Sequence, residues 1–465
     1  MSATYREKVL EVEPFGIDPI PEQERHGHPG QMFTFWFAIS LNVVTWFTGF
    51  LGVELGLSLK YAILAIVIGN LTGAAFVGLT SAVGPVLSQP LIPASRRSFG
   101  KAGIVGLAFI NLLNNLGWLA VNLVLAVMAM QKLLPLGYHV SLLLITAVTL
   151  LVALFGYNFI HSFAHWMSIL MGILFVGMTV ITVHSLPMIA GQATAAPASG
   201  WQAGLFVLGI ALAFSYQISY CPVGADYSRY FPERTSKKRI WLTSYLGSLS
   251  VCVWLEILGA LTATLGQQVG PMDFFVRLMG IFTVPALITV ILSILPNNVM
   301  AIYSSGLAAL AMGIPIRRWA SVLLTGVLGA LLISFRGFEL ADTYKNFLLL
   351  LSYWIAPWLG VVLCDYFYFR TSPGNSNGRN GWAGILAFIC GVAVSIPFMS
   401  SVLYTGPLAV YLGGADISYW LSMVVSAAIY LVAVIVLKAD AVVPARTVQG
   451  VPSTAETVPE QVLEC

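Results

Sequence analysis

The chain has 465 residues, 58% of them hydrophobic and 9% charged, with a mean hydropathy of +0.87 and a formal net charge of +3. That composition excludes a water-soluble globular fold and describes a polytopic membrane protein. Its few basic residues are spread over short loops and form no single patch, which argues against a nucleic-acid partner.

Residues 1–31 are polar and proline-rich through VEPFGIDPIPEQERHGHPG and lack the charged-apolar-cleavage pattern of a secretion signal, so they are expected to form a cytoplasmic tail. A hydrocarbon layer about 30 Å thick needs ~20 apolar residues per helix. Runs of that kind predict twelve spans, at 33–56, 61–83, 103–131, 140–158, 166–187, 202–225, 240–265, 279–311, 318–334, 344–368, 382–401 and 418–437. With the tail inside, only Lys60, Lys132, Arg277, Arg336 and Lys345 of the 22 Lys and Arg fall outside. This asymmetry predicts that both termini are cytoplasmic, in a plasma or inner membrane.

Three spans look interrupted: the first at ISLNVVTWFTGFLG (39–52), the sixth at SYQISYCPVG (215–224) and the eighth at ILPNNVMAIYSSG (294–306). A lone proline such as Pro222 kinks many membrane helices. Breaks five helices apart, however, suit two inverted repeats of the LeuT type, whose discontinuous helices meet around a substrate at the midplane. The expected organisation is all-α: a first repeat at 32–187, a second at 201–368, two further helices at 382–437 and a cytoplasmic C-terminal tail at 438–465.

In the third span, LAFINLLNNLGWLAVNLVLA, Asn111, Asn115, Trp118 and Asn122 are spaced to share one helical stripe that cannot face lipid. Asn111 is read as a tie to a neighbouring helix, and Asn115, Trp118 and Asn122 as ligand contacts. An indole face with flanking amides suits a flat, neutral heteroaromatic ring, because each amide offers both donor and acceptor to the ring edge. A nucleobase has such an edge. No Lys or Arg lies deep in a span to hold a phosphate.

Intramembrane acids are functional candidates because their ionised forms are costly there. Glu256 lies deepest and is the candidate proton carrier. Asp226, at the end of the sixth span, is a second candidate, although its spacing from Arg229 suits an ion pair. His161 and His165 stand at i, i+4 with no third ligand nearby, so no metal is implied. The five cysteines are read as small hydrophobes. No nucleophile triad, phosphate loop or zinc motif supports an enzyme.

Five strings occur in order along the chain: EPFGIDPIPEQERHG (13–27), GNLTGAAFVG (69–78), RRSFGKAG (96–103), GADYSRYFP (224–232) and CDYFYFR (364–370). Together they resemble the nucleobase–cation symporter family of cytosine and purine permeases. The resemblance implies a LeuT-like fold with twelve spans, Trp118 as the stacking residue and Asn115 as an amide paired with the base. It further implies substrate contacts at Gln217, Ser219, Asn298 with Asn297 beside it, and Asn42. Relatives often carry an aromatic where this chain has Gln217, so Tyr216 or Tyr220, or an edge contact, would close the ring sandwich instead. Pro296 and Asn297 stand where sodium-coupled relatives have two hydroxyl residues. That departure implies H+ and not Na+ as the coupling ion. The expectation is therefore a proton symporter of an uncharged nucleobase, with no other cofactor and no obligate protein partner. A carrier of hydantoin, allantoin, thiamine or pyridoxine and a passive facilitator are the alternatives.

Overall fold

The computed structural model describes residues 16–154, 157–187, 203–265, 271–334, 340–369, 381–401 and 403–436, with side chains from 166 onward in the helix that begins at 157. The first five expected spans are built from α1 (Gly30–Ser40), α2 (Val43–Glu54), α3 (Leu59–Leu87), the short α4 (Leu91–Ala94), α5 (Arg96–Leu133), α6 (Tyr138–Leu154) and α7 (Tyr157–His184). Then come α8 (Ala203–Ile218), α9 (Gly224–Ser228), α10 (Lys237–Leu265), α11 (Pro271–Met279), α12 (Thr283–Ala311), α13 (Arg318–Ser334) and α14 (Leu340–Tyr368). The chain closes with α15 (Trp382–Ser395), α16 (Pro407–Tyr411) and α17 (Ser418–Ile435). Among the described residues, eight helices are long and apolar enough to cross a bilayer, or nine with α1 and α2 as one bent span. Three shorter apolar helices stand where the remaining spans are expected.

The first span breaks where the sequence indicates. Its halves are bent by 62°, and Asn42, in extended conformation, caps α2 by accepting from the Thr45 N–H at 3.0 Å. In the sixth span, a proline ring at 222 would collide with the carbonyl four residues earlier, at Ile218, and α8 ends at Ile218. A 3₁₀ turn over Cys221–Val223 leads into α9.

The eighth span corrects the expectation. α12 is continuous from Thr283 to Ala311 with Pro296 inside it. One proline removes only one main-chain donor, and a membrane helix tolerates that loss when neighbours flank it. α12 packs along α5 and also against α7.

α2, α3, α8 and α10 form one tightly packed group. Glycine makes two of its approaches possible: a Cβ at Gly49 would overlap the Glu256 main chain, and one at Gly73 would overlap the Gln217 side chain. Family-like strings distant in sequence also meet. Arg97 pairs with Asp365 at 2.8 Å, and Tyr430 donates to the same carboxylate at 2.8 Å. Residues 16–28 lie across the ends of α3 and α9: Arg25 donates to the Pro85 carbonyl at 3.0 Å, and Arg229 donates to that of Gly16 at 2.9 Å.

Gly49→Leu is expected to lower the detergent melting midpoint by several degrees, since overpacking costs about 1–3 kcal/mol. Gly106→Leu, at a position with nothing within 4 Å, should leave it unchanged. Equal melting of the two variants by thermal size-exclusion assay would contradict the packing described.

Candidate substrate-binding site

A cavity lies between the two broken spans, α5 and α12. α5 contributes Asn114, Asn115, Trp118 and Asn122; the first span contributes Ile39, Asn42 and Val44; the sixth contributes Tyr216, Ser219, Tyr220, Pro222 and Val223; and α12 contributes Asn297, Met300, Ala301 and Ser304. No acidic side chain, Lys, Arg or His is among them.

Aromatic packing fixes the plane of the Trp118 indole. Tyr216, Tyr344 and Phe347 meet it edge to face, at ring-centre distances of 5.9, 6.2 and 5.2 Å. Beside it, the Tyr216 hydroxyl shares hydrogen bonds with Thr45 Oγ1 at 2.6 Å and with the Tyr220 hydroxyl at 2.9 Å. Asn42 Nδ2 donates to the Ile39 carbonyl at 2.9 Å, so the same side chain caps both sides of the first break. Ser219 Oγ donates to the Tyr216 carbonyl at 2.6 Å.

The α5 amides face this cavity with hydrogen-bonding capacity to spare. Asn114 Oδ1 and Asn115 Nδ2 are buried with no partner among the described residues. A buried, unpaired amide costs roughly 1–3 kcal/mol, which a ligand edge carrying both donors and acceptors can recover. The cavity is thus a slot with one aromatic wall and neutral polar edges.

Of the residues read from the sequence, Trp118, Asn115, Asn122, Ser219, Tyr216, Asn42 and Asn297 line the cavity. Gln217 and Asn298 do not. Gln217 is fully buried between α3 and α10, where it donates to Asn70 Oδ1 at 2.8 Å and accepts from Ser248 at 2.6 Å. Asn298 is fully buried, and neither amide atom has a partner among the described residues. The reason is rotational: one residue along a helix turns a side chain by 100°, so Gln217 and Asn298 leave the wall that Tyr216 and Asn297 form.

Asn111 borders a smaller cavity with Pro93, Pro222 and Asp226. Asp226 meets Arg229 through its main-chain carbonyl, which accepts from Arg229 Nε at 3.2 Å. Glu256 is fully buried on α10 and accepts from Asn70 Nδ2 at 2.7 Å. The His161 and His165 side chains and Cys465 lie outside the described residues.

Helical periodicity alone missed Asn114, Tyr344, Phe347 and Asn70. Asn70 had a visible signal, an amide between Gly69 and Gly73 in an apolar span. Asn114 falls one residue off the stripe, at the rim of a cavity wide enough to admit it.

A helical membrane protein whose interrupted spans surround a neutral central cavity is a carrier of small molecules and not an enzyme. The chain belongs to the family of permeases for cytosine/purines, uracil, thiamine and allantoin, whose profile matches residues 19–422. It is 29% identical to YxlA of Bacillus subtilis (strain 168), whose name places it with purine-cytosine permeases, over 91% of this chain and 96% of that one. It is also 29% identical to the purine-cytosine permease fcyB of Emericella nidulans, over 91% of this chain and 88% of the relative. Among solved structures, the closed form of Mhp1, a nucleobase-cation-symport-1 family transporter with bromovinylhydantoin bound, shares the fold. Its TM-score is 0.72 at 17% identity, covering 90% of this chain and 94% of that one.

Trp118→Ala is expected to weaken binding of a ring ligand by roughly ten- to a hundredfold, because stacking on an aromatic side chain contributes ~1–3 kcal/mol. Trp118→Phe should retain most of the affinity. Equilibrium binding of labelled cytosine or adenine to purified protein is the check, and undiminished affinity in Trp118→Ala would remove the stacking wall.

Proposed function

We propose that this chain is a secondary active symporter that imports an uncharged nucleobase, cytosine or a purine, together with protons, by alternating access. The observation that carries this reading is the cavity lining: one indole wall, amides and hydroxyls at its edges, and no acidic or basic side chain. Such a site pays no charge-burial penalty with a neutral ring and has nothing to offset the charge of a nucleotide. The relatives named as purine-cytosine permeases support the same substrate class. The hydantoin held by Mhp1 supports a second reading, a ureide or other small heterocycle in the same slot.

The coupling ion is the proton. Pro296 brings no side-chain oxygen to α12 where a sodium ion would need a hard ligand. Glu256 supplies a carboxyl buried among α2, α3 and α8 that can take a proton and become neutral. Protonation on the outer face and release on the inner face would move one proton with each base. Both termini lie in the cytoplasm, on the side that the Lys and Arg distribution marks.

Uptake of labelled cytosine, adenine and hypoxanthine into proteoliposomes tests this reading. An inward proton gradient alone should drive accumulation, and a sodium gradient alone should not. Accumulation with sodium only would overturn the coupling assignment, and uptake that stops at equilibrium under both gradients would indicate a facilitator. Glu256→Gln is expected to abolish proton-driven accumulation while leaving exchange of base for base intact; accumulation at the wild-type level would remove Glu256 as the carrier.

A further inference from the structure

Glu256 shares no lining with the substrate cavity. It borders instead a narrow gap beside Thr48, Gly49, Gly52 and Leu57. A proton on this carboxyl can influence a base next to Trp118 only through the protein between them.

A hydrogen-bonded route exists. Ser248 Oγ donates to Gln217 Oε1 at 2.6 Å, Gln217 Nε2 donates to Asn70 Oδ1 at 2.8 Å, and Asn70 Nδ2 donates to Glu256 Oε2 at 2.7 Å. All four side chains are fully buried. The bonds run in one direction, toward Glu256 Oε2, which accepts. Asn70 must then present its amino group to Glu256 and its oxygen to Gln217, and Gln217 must do likewise toward Ser248.

A proton on Oε1, which has no partner among the described residues, leaves Oε2 accepting from Asn70. A proton on Oε2 inverts the arrangement: the carboxyl becomes a donor, Asn70 turns its oxygen toward it and gives up its bond to the Ile66 carbonyl, Gln217 turns in response, and Ser248 becomes the acceptor. The amides gain and lose no proton; one O–H bond forms on Glu256 when it takes a proton from water, and the same bond breaks on release. The chain therefore has two discrete arrangements. Gln217 lies beside cavity-lining Tyr216, one residue before α8 ends.

We propose that Asn70 and Gln217 are positioning residues that carry the protonation state of Glu256 to the broken sixth span, so that the base is held more tightly when the carboxyl is protonated. This rests on Glu256 being the proton carrier. Other titratable groups around Glu256 are Cys252, one turn earlier on α10, and Tyr344 on α14, whose hydroxyl shares a hydrogen bond with Thr48 Oγ1 at 2.7 Å. The helices packed around it also carry Glu54 on α2, Lys60 and Tyr61 on α3, and Tyr216 on α8. Among the described residues, Asn70 alone is hydrogen-bonded to the carboxyl.

The test is equilibrium binding of labelled cytosine or adenine, whichever the wild type binds, to the full chain in nanodiscs at mildly acidic and mildly alkaline pH. Wild type should bind more tightly at acidic pH by on the order of tenfold. Glu256→Gln, Asn70→Leu and Gln217→Leu should each bring that ratio to one. Gln217→Asn, which keeps the amide but shortens its reach, should do the same and serves if a leucine variant does not fold. A merely structural role would weaken binding equally at both pH values and leave the ratio intact. A flat ratio in Glu256→Gln with a wild-type ratio in the Asn70 and Gln217 variants would overturn the relay and leave the carboxyl's role standing. A wild-type ratio in Glu256→Gln would overturn the role of Glu256, and the relay with it.

Discussion

A helix that stops inside a bilayer leaves main-chain N–H and C=O groups that lipid cannot satisfy. The rest of this structure follows from where those groups find partners. In the first span the Asn42 side chain accepts from the Thr45 N–H and donates to the Ile39 carbonyl, which satisfies both sides of the gap. In the sixth, Pro222 removes one donor outright and ends α8 at Ile218. Both breaks can exist only beside a polar interior, and the substrate cavity lies against both.

The cavity is polar without being charged, and the buried Glu256 carboxyl stands apart from it. Trp118 is held in one plane by three aromatic neighbours, while the amides around it keep hydrogen-bonding groups in reserve. The carboxyl sits elsewhere, behind α8, where Gly49 lets α2 close onto the Glu256 main chain and Gly73 leaves room for the Gln217 side chain. A charge kept out of the cavity does not compete with a neutral ligand for its donors. Gly49 and Gly73 set how closely the helices around Glu256 and Gln217 approach.

Much of this was legible in the sequence, because membrane constraints are severe. Apolar run lengths gave a span pattern that the described helices follow, and Asn42 and Pro222 marked the two real interruptions. The α5 stripe was legible because three amides on one helical face have nowhere to go but inward. The errors have one physical origin. Pro296 and Pro222 look alike in sequence, yet α12 runs through the first, packed along α5 and α7, whereas α8 ends four residues before the second. Similarly, whether Gln217 or Tyr216 faces the cavity depends on the rotation of α8 against α3, and the close approach at Gly73 sets that rotation. Asn70 was visible as an amide between two glycines, but its side-chain partners, Gln217 and Glu256, are more than a hundred residues away.

The central claim is that a flat neutral ring binds between the two broken spans against Trp118. A structure determined with cytosine or adenine bound tests it most directly. The ring plane should lie parallel to the indole at about 3.5 Å, with its polar edge on Asn115 or Asn122. A ring lodged instead beside Asn111 and Asp226, or meeting Trp118 only at its edge, would contradict it.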